Sequence, residues 1–205
     1  ANNYRYALTG SVSTINASDP NKVVTLSFDN GSYIDMEEAD SAASDSKIVA
    51  ALLTVTAQTA ATKFTGTLTL GSFMKSAAGG EFVPTSIVFD GSISDTSGGS
   101  ASPVAFLTGK LEVSVADYDK YYPNGIPATG AVAGATGYVK ATIAFTGTVQ
   151  APSRPPLILV LSANQTGSNT GTLSLNYSYD DVVIAGNGSF DDRTNSISLT
   201  LTDRE

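Results

Sequence analysis

The stretch "KFTGTLTL", Lys63–Leu70, puts Phe64, Gly66, Leu68 and Leu70 on one parity and Lys63, Thr65, Thr67 and Thr69 on the other. Successive side chains of an extended chain point to opposite faces, so this alternation predicts a half-buried β-strand. Threonine suits the outer parity because its branched Cβ favours the pleated backbone and its hydroxyl tolerates water. Gly66 is the odd member. A glycine inside a strand weakens it unless something uses the missing side chain. The expectation is that an aromatic ring lies over the gap, or that the sheet bends there.

The same grammar runs outward in both directions. Apolar-x-Gly-x-apolar recurs at Leu8-Gly10-Val12, Phe89-Gly91-Ile93 and Phe145-Gly147-Val149, with a looser copy ending at Gly109. Alternation continues through Leu173, Leu175, Tyr177 and Tyr179, then Val182, Ile184, Gly186 and Phe190, then Ile197, Leu199 and Leu201. The copies are irregularly spaced, which excludes a solenoid of fixed period. Turn-forming clusters separate the runs, among them "DNGS" (29–32), "SDTSGGSASP" (94–103), "APSRPP" (151–156) and "DDRTN" (191–195). "APSRPP" is read as a stiff crossover, because the strand grammar is the same on both sides of it. Short strands with Gly, Asn, Asp and Pro between them predict an all-β fold. The expectation is an antiparallel meander of about ten or more strands, closed as a sandwich or barrel, in a single domain over 1–205. One region departs from the pattern. "YIDMEEADSAAS" (33–44) is rich in acids, Ala and Met, which predicts one short helix near 35–44.

The chain has 205 residues, 41% hydrophobic and 15% charged, with Ser and Thr making up roughly a quarter. At this length a chain buries enough surface to fold without a disulfide or metal. Its net charge is −8. So acidic a chain builds no basic stripe for phosphates, which argues against nucleic acid and against anionic lipid as partners. No segment has the ~20 consecutive apolar residues of a membrane helix, so direct membrane insertion is not expected. The chain opens at Ala1. This is read as an extracytoplasmic domain, secreted or surface-anchored, whose targeting segment has been removed.

Cys, His and Trp are all absent. That excludes disulfide frameworks, thiolate chemistry, Ser-His-Asp triads and His-ligated zinc within this chain. "SFMK" (Ser72–Lys75) matches a serine acyl-transferase motif in letters. It follows a strand where that chemistry needs a helix start, so it is read as a turn serine and a solvated lysine. No catalytic residue is expected.

Two groups remain as candidate sites. Asp35, Glu37, Glu38 and Asp40 form the densest acidic cluster, suited to a structural calcium ion, with a solvated face as the plainer reading. No other cofactor is expected. The stretch "ADYDKYYPNGIP" (116–127) gathers Asp117, Tyr118, Asp119, Tyr121, Tyr122 and Asn124 at the end of a strand. Tyrosine is an amphipathic contact residue of low conformational entropy, so these residues form a candidate ligand-binding loop. They equally suit an aromatic lid on the end of the sheet.

The expectation for function is a non-enzymatic β-domain at the surface of a bacterial cell, with a structural or attachment role toward a macromolecule or saccharide. The alternative is a carbohydrate- or small-ligand-binding module that uses the Tyr-rich loop or a barrel mouth.

Overall fold

A computed structural model describes residues 3–14, 24–38, 46–59, 61–75, 82–97, 104–118, 122 and 140–203. They form thirteen strands: β1 (Asn3–Ala7), β2 (Gly10–Thr14), β3 (Val24–Phe28), β4 (Tyr33–Glu37), β5 (Lys47–Gln58), β6 (Thr62–Lys75), β7 (Phe82–Asp95), β8 (Val104–Ala116), β9 (Lys140–Val149), β10 (Leu157–Gln165), β11 (Thr170–Tyr179), β12 (Val182–Asp191) and β13 (Ser196–Asp203). All thirteen belong to one sheet and every pairing is antiparallel. The meander predicted from the alternation is therefore present, and among the described residues its sheet is not closed. The expected helix near 35–44 is corrected over its first residues. Tyr33–Glu37 is strand β4, paired with β1 and β5. There its register partners, Tyr4, Tyr6 and Ala51, outweigh the local helix propensity of Met and Glu. Residues 39–45 lie outside the described residues.

The first four strands are two long strands, each interrupted once. β1 pairs with β4 and β2 with β3, while β3 and β4 lie end to end along β5. The sheet therefore consists of eleven rows in strict up-and-down order. An odd number of alternating rows leaves the first and last pointing the same way. Closing the sheet on itself would need β13 to pair parallel with β1–β2, against the sense of every other pair.

Register places every copy of the glycine motif in β6–β9 on one line. Gly66 opposes Gly91, Gly91 opposes Gly109, and Gly109 opposes Gly147. Phe64 and Phe145 lie over this row: a β-carbon at Gly91 would stand 2.9 Å from the Phe64 ring, and one at Gly109 3.1 Å from the Phe145 ring. Phe64 also stacks on Phe89, with centroids 4.8 Å apart. Aromatic cover is thus the use made of the missing side chains. Gly10 is different. It sits at φ 145° where β1 gives way to β2, with no ring over it.

The glycine row lies on the apolar one of the sheet's two faces. On one face, β6–β9 place Leu68, Phe89, Leu111, Phe145 and their register partners. On the other they place Thr65, Thr67, Asp90, Lys110, Glu112 and Thr146. Over eleven rows at the usual strand spacing, the apolar face runs about 50 Å across the strands. Among the described residues no second layer covers it. Among the described residues, the hydrophobic ones that reach full burial are only Ala51 and Ala185. The chain exposes 12840 Å², where a compact monomer of 21.0 kDa exposes about 9000 Å².

Candidate functional site

The apolar face is hollowed over β6–β13. A trough of about 430 Å³ is lined by Leu111, Ile143, Phe145, Leu161, Leu173 and Leu199, from strands β8 to β13. Across Leu111 and Phe145 it meets a smaller hollow of about 210 Å³ over the glycine row, walled by Phe64, Phe89, Ile93 and Leu107. At the other end, beyond Ala163 and Leu173, a third hollow of about 340 Å³ reaches Phe190, Asp191, Asp192 and Asn195. The two serines in the main trough's lining bond each other, Ser162 Oγ to Ser174 Oγ at 2.7 Å. Its remaining lining side chains are apolar. The surface that the trough presents is therefore almost wholly hydrocarbon.

The tyrosine stretch is described in part. Tyr118 and Tyr122 are half-buried, their ring centroids 5.7 Å apart, and the Tyr122 N–H donates to the Tyr118 carbonyl at 2.6 Å. Burial, with a smaller contribution from Tyr122, raises the Tyr118 hydroxyl above its ordinary pKa. Asp117 stands at φ 61°, which turns the chain out of β8, and its Oδ2 lies 3.1 Å from Lys140 Nζ at the start of β9. The geometry brings Asp117, Tyr118 and Tyr122 together at one end of the β8–β9 pair. Asp119, Tyr121 and Asn124 lie outside the described residues.

The acidic cluster is split among partners. Arg5 binds Asp35 through two bonds of 2.7 and 2.8 Å, and its guanidinium sits 3.6 Å above the Tyr33 ring. Glu37 pairs with Lys47 at 2.9 Å. Glu38 is exposed, and Asp40 lies outside the described residues. Among the described residues, no three acidic side chains converge as a cation site. "DDRTN" forms the β12–β13 turn, in which Asp191 accepts from the Arg193 backbone at 3.0 Å and from its guanidinium at 2.6 Å. Asp180 and Asp181 make a two-residue turn, with Asp180 at φ 54°.

The Arg5 hydrogen bonds hold the Asp35 carboxyl below its ordinary pKa, opposed by some burial. A group whose pKa is depressed on folding stabilises the fold above its unfolded value of about 3.9, and this contribution is lost as pH falls through the folded value. Thermal unfolding of the parent chain and of Arg5→Gln is therefore expected to differ slightly near neutral pH and to converge below about pH 4. Curves that stay parallel down to about pH 2 would remove the pair from the acid response.

The hollows themselves were not legible from one strand at a time. Leu111, Phe145 and Leu161 stand side by side only once the register of β8, β9 and β10 is known. The signal available in the sequence was the run of apolar parities, which marks a face without saying what covers it. Comparison of the chain with protein-family models, with curated proteins and with solved structures gives no significant match.

Proposed function

We propose that this chain is a non-enzymatic, extracytoplasmic β-domain of a bacterial cell surface, with a structural or attachment role, and that its working surface is the apolar face of the sheet. One observation supports the reading: a continuous apolar face, hollowed over β6–β13, with no second layer over it among the described residues. Exposed apolar area on this scale marks a surface that works covered. A sheet also needs a second layer to bury its apolar side. On this reading the partner supplies that layer and completes the sandwich expected from the strand grammar. The hydroxyl-rich opposite face then stays in water.

A second reading rests on Tyr118 and Tyr122, whose paired rings beside Asp117 could hold a saccharide ring. One experiment separates the two. Fluorescently labelled chain is titrated onto bacterial cells, and the bound fraction is measured for the parent, for Leu161→Asp and for Tyr118→Ala/Tyr122→Ala. Leu161 is 38% exposed, and circular dichroism of Leu161→Asp checks that the fold is kept. Burial of one leucine side chain is worth about 1.5–3 kcal/mol, so Leu161→Asp is expected to weaken attachment by about ten- to a hundredfold. The tyrosine variant is expected to stay close to the parent. The opposite pattern moves the site to the tyrosines, and indifference to both changes rejects both readings.

A further inference from the structure

The two edges of the sheet are unequal. The β1–β2 edge is guarded: it breaks at Leu8–Thr9, Gly10 follows at φ 145°, and Arg5 stands in its first half. These are the usual devices that stop a strand edge from pairing with another chain. The β13 edge has none of them. Ser196–Asp203 is an uninterrupted eight-residue strand, in unbroken register with β12 and exposed along its whole length. It contains no Lys, Arg or Pro. Ile197 is 74% exposed and Leu201 56%.

We propose that β13 pairs with β13 of a second copy of this chain, antiparallel about a two-fold axis at Leu199. The strand's own sequence selects the arrangement. With the axis at Leu199, Ile197 opposes Leu201 of the other copy, Ser198 opposes Thr200, and Ser196 opposes Thr202. Apolar residues meet apolar ones and hydroxyls meet hydroxyls. A shift by one residue sets Leu199 against Thr200 and mismatches the two faces. Moving the axis to Thr200 sets Ile197 against Asp203. Pairing β13 with β1–β2 of the next copy would be parallel and would meet the guarded edge. The two-fold also closes the assembly at two chains. It joins the two apolar faces into one and doubles the surface available for attachment, through backbone pairing that the attachment reading does not require.

The chain has no cysteine, so an introduced one reports cleanly. Leu199→Cys is expected to form an intermolecular disulfide under mild oxidation, since residues directly opposite across an antiparallel pair hold their Cβ atoms about 4.5–5.5 Å apart. Sedimentation of the parent should show a monomer–dimer equilibrium and nothing larger. Ser198→Lys/Thr200→Lys changes only the hydroxyl-bearing face and sets lysines opposite lysines across the junction. It should need at least about tenfold higher concentration to dimerise. Ser198→Glu/Thr200→Glu should behave alike, and mixing the two folded variants should restore the dimer. The proposal fails if the parent is monomeric throughout, if it polymerises without limit, or if its dimer ignores the charge pairs. That last outcome would indicate face-to-face packing.

Discussion

Gly66→Ala and Gly91→Ala should each destabilise the chain by about 2–3 kcal/mol, the upper part of the range seen when atoms are forced into a closed site. In a chain of this length that lowers Tm by about 5–10 °C. A β-carbon at Gly66 would press on the Asp90 carbonyl oxygen and lie 2.8 Å from the Gly91 Cα. At Gly91 it would lie 2.6 Å from the Thr65 carbonyl oxygen. In both cases the obstacle is the backbone of the neighbouring strand, which moves only if the β6–β7 ladder moves. Two other glycines provide the contrast. At Gly147 the nearest atoms all belong to the Phe145 ring. A ring can turn aside, so Gly147→Ala should cost less, and adding Phe145→Leu should recover part of the loss. At Gly71 nothing lies within 4 Å. There an alanine restricts the unfolded chain without meeting an obstacle, and stability should hold or rise slightly. Thermal denaturation of the four single variants tests the ordering. Equal losses at Gly66 and Gly71 would mean that the glycine row is not a close approach of backbones.

The meander was legible because its signal is local. Each of Phe64-Gly66-Leu68, Phe89-Gly91-Ile93 and Phe145-Gly147-Val149 carries its parity in five residues, and parity alone decides which side of a strand faces the core. The turns were legible for the same reason: Asp180-Asp181 and "DDRTN" use side chains that satisfy or tolerate turn backbones. Closure was not legible. Whether the first and last rows meet depends on strand count and twist summed over the whole sheet, which no window of sequence contains. The alternation of Leu175 or Leu199 is the same whether a second layer covers them or not. The helix expected near 35–44 shows the reverse error. Local propensity favoured a helix, while Tyr33–Glu37 could complete the ladder between β1 and β5.

The candidate sites divide along the same line. Acid density at 35–40 suggested a cation site, but composition does not disclose that Arg5 and Lys47 face Asp35 and Glu37 across neighbouring strands. Tyr118 and Tyr122 lie four residues apart, and their rings come within 5.7 Å, tilted against each other, which their spacing alone does not specify. The trough on the apolar face escaped notice because its walls come from strands as distant in sequence as β8 and β13.

Ser32→Ala is expected to cost about 2 kcal/mol, although it removes a single oxygen from a turn. Ser32 is 2% exposed. It lies where β3 ends and β4 begins, and there residues 29–32 step out of register with β5. Four residues lie between Phe28 and Tyr33, against two between Val55 and Leu52 on the facing strand. Gly31 makes the excursion at φ 100°, a conformation that side chains oppose. The detour takes β3–β4 backbone away from Thr54, and the Ser32 hydroxyl takes its place. Ser32 Oγ accepts from the Thr54 N–H at 2.8 Å and donates to the Thr54 carbonyl at 3.3 Å. The Asp29 N–H adds a second bond to that carbonyl at 2.9 Å, and the Ser32 carbonyl in turn accepts from the Leu8 N–H at 2.9 Å. Side chain and backbone of this one residue thereby tie three rows of the sheet together, the hydroxyl making the link to β5. Alanine leaves the Thr54 N–H part-buried without its acceptor, and an unmade bond costs more than a made one contributes. Hydrogen exchange reads this directly. The Thr54 amide should lose about thirtyfold or more of its protection in Ser32→Ala, the factor that corresponds to about 2 kcal/mol. A surface hydroxyl elsewhere in the sheet, such as Thr146, can be removed as a control with little effect. If Ser32→Ala left both Tm and Thr54 exchange unchanged, water would be able to replace the hydroxyl, and the step between β3 and β4 would be open to solvent.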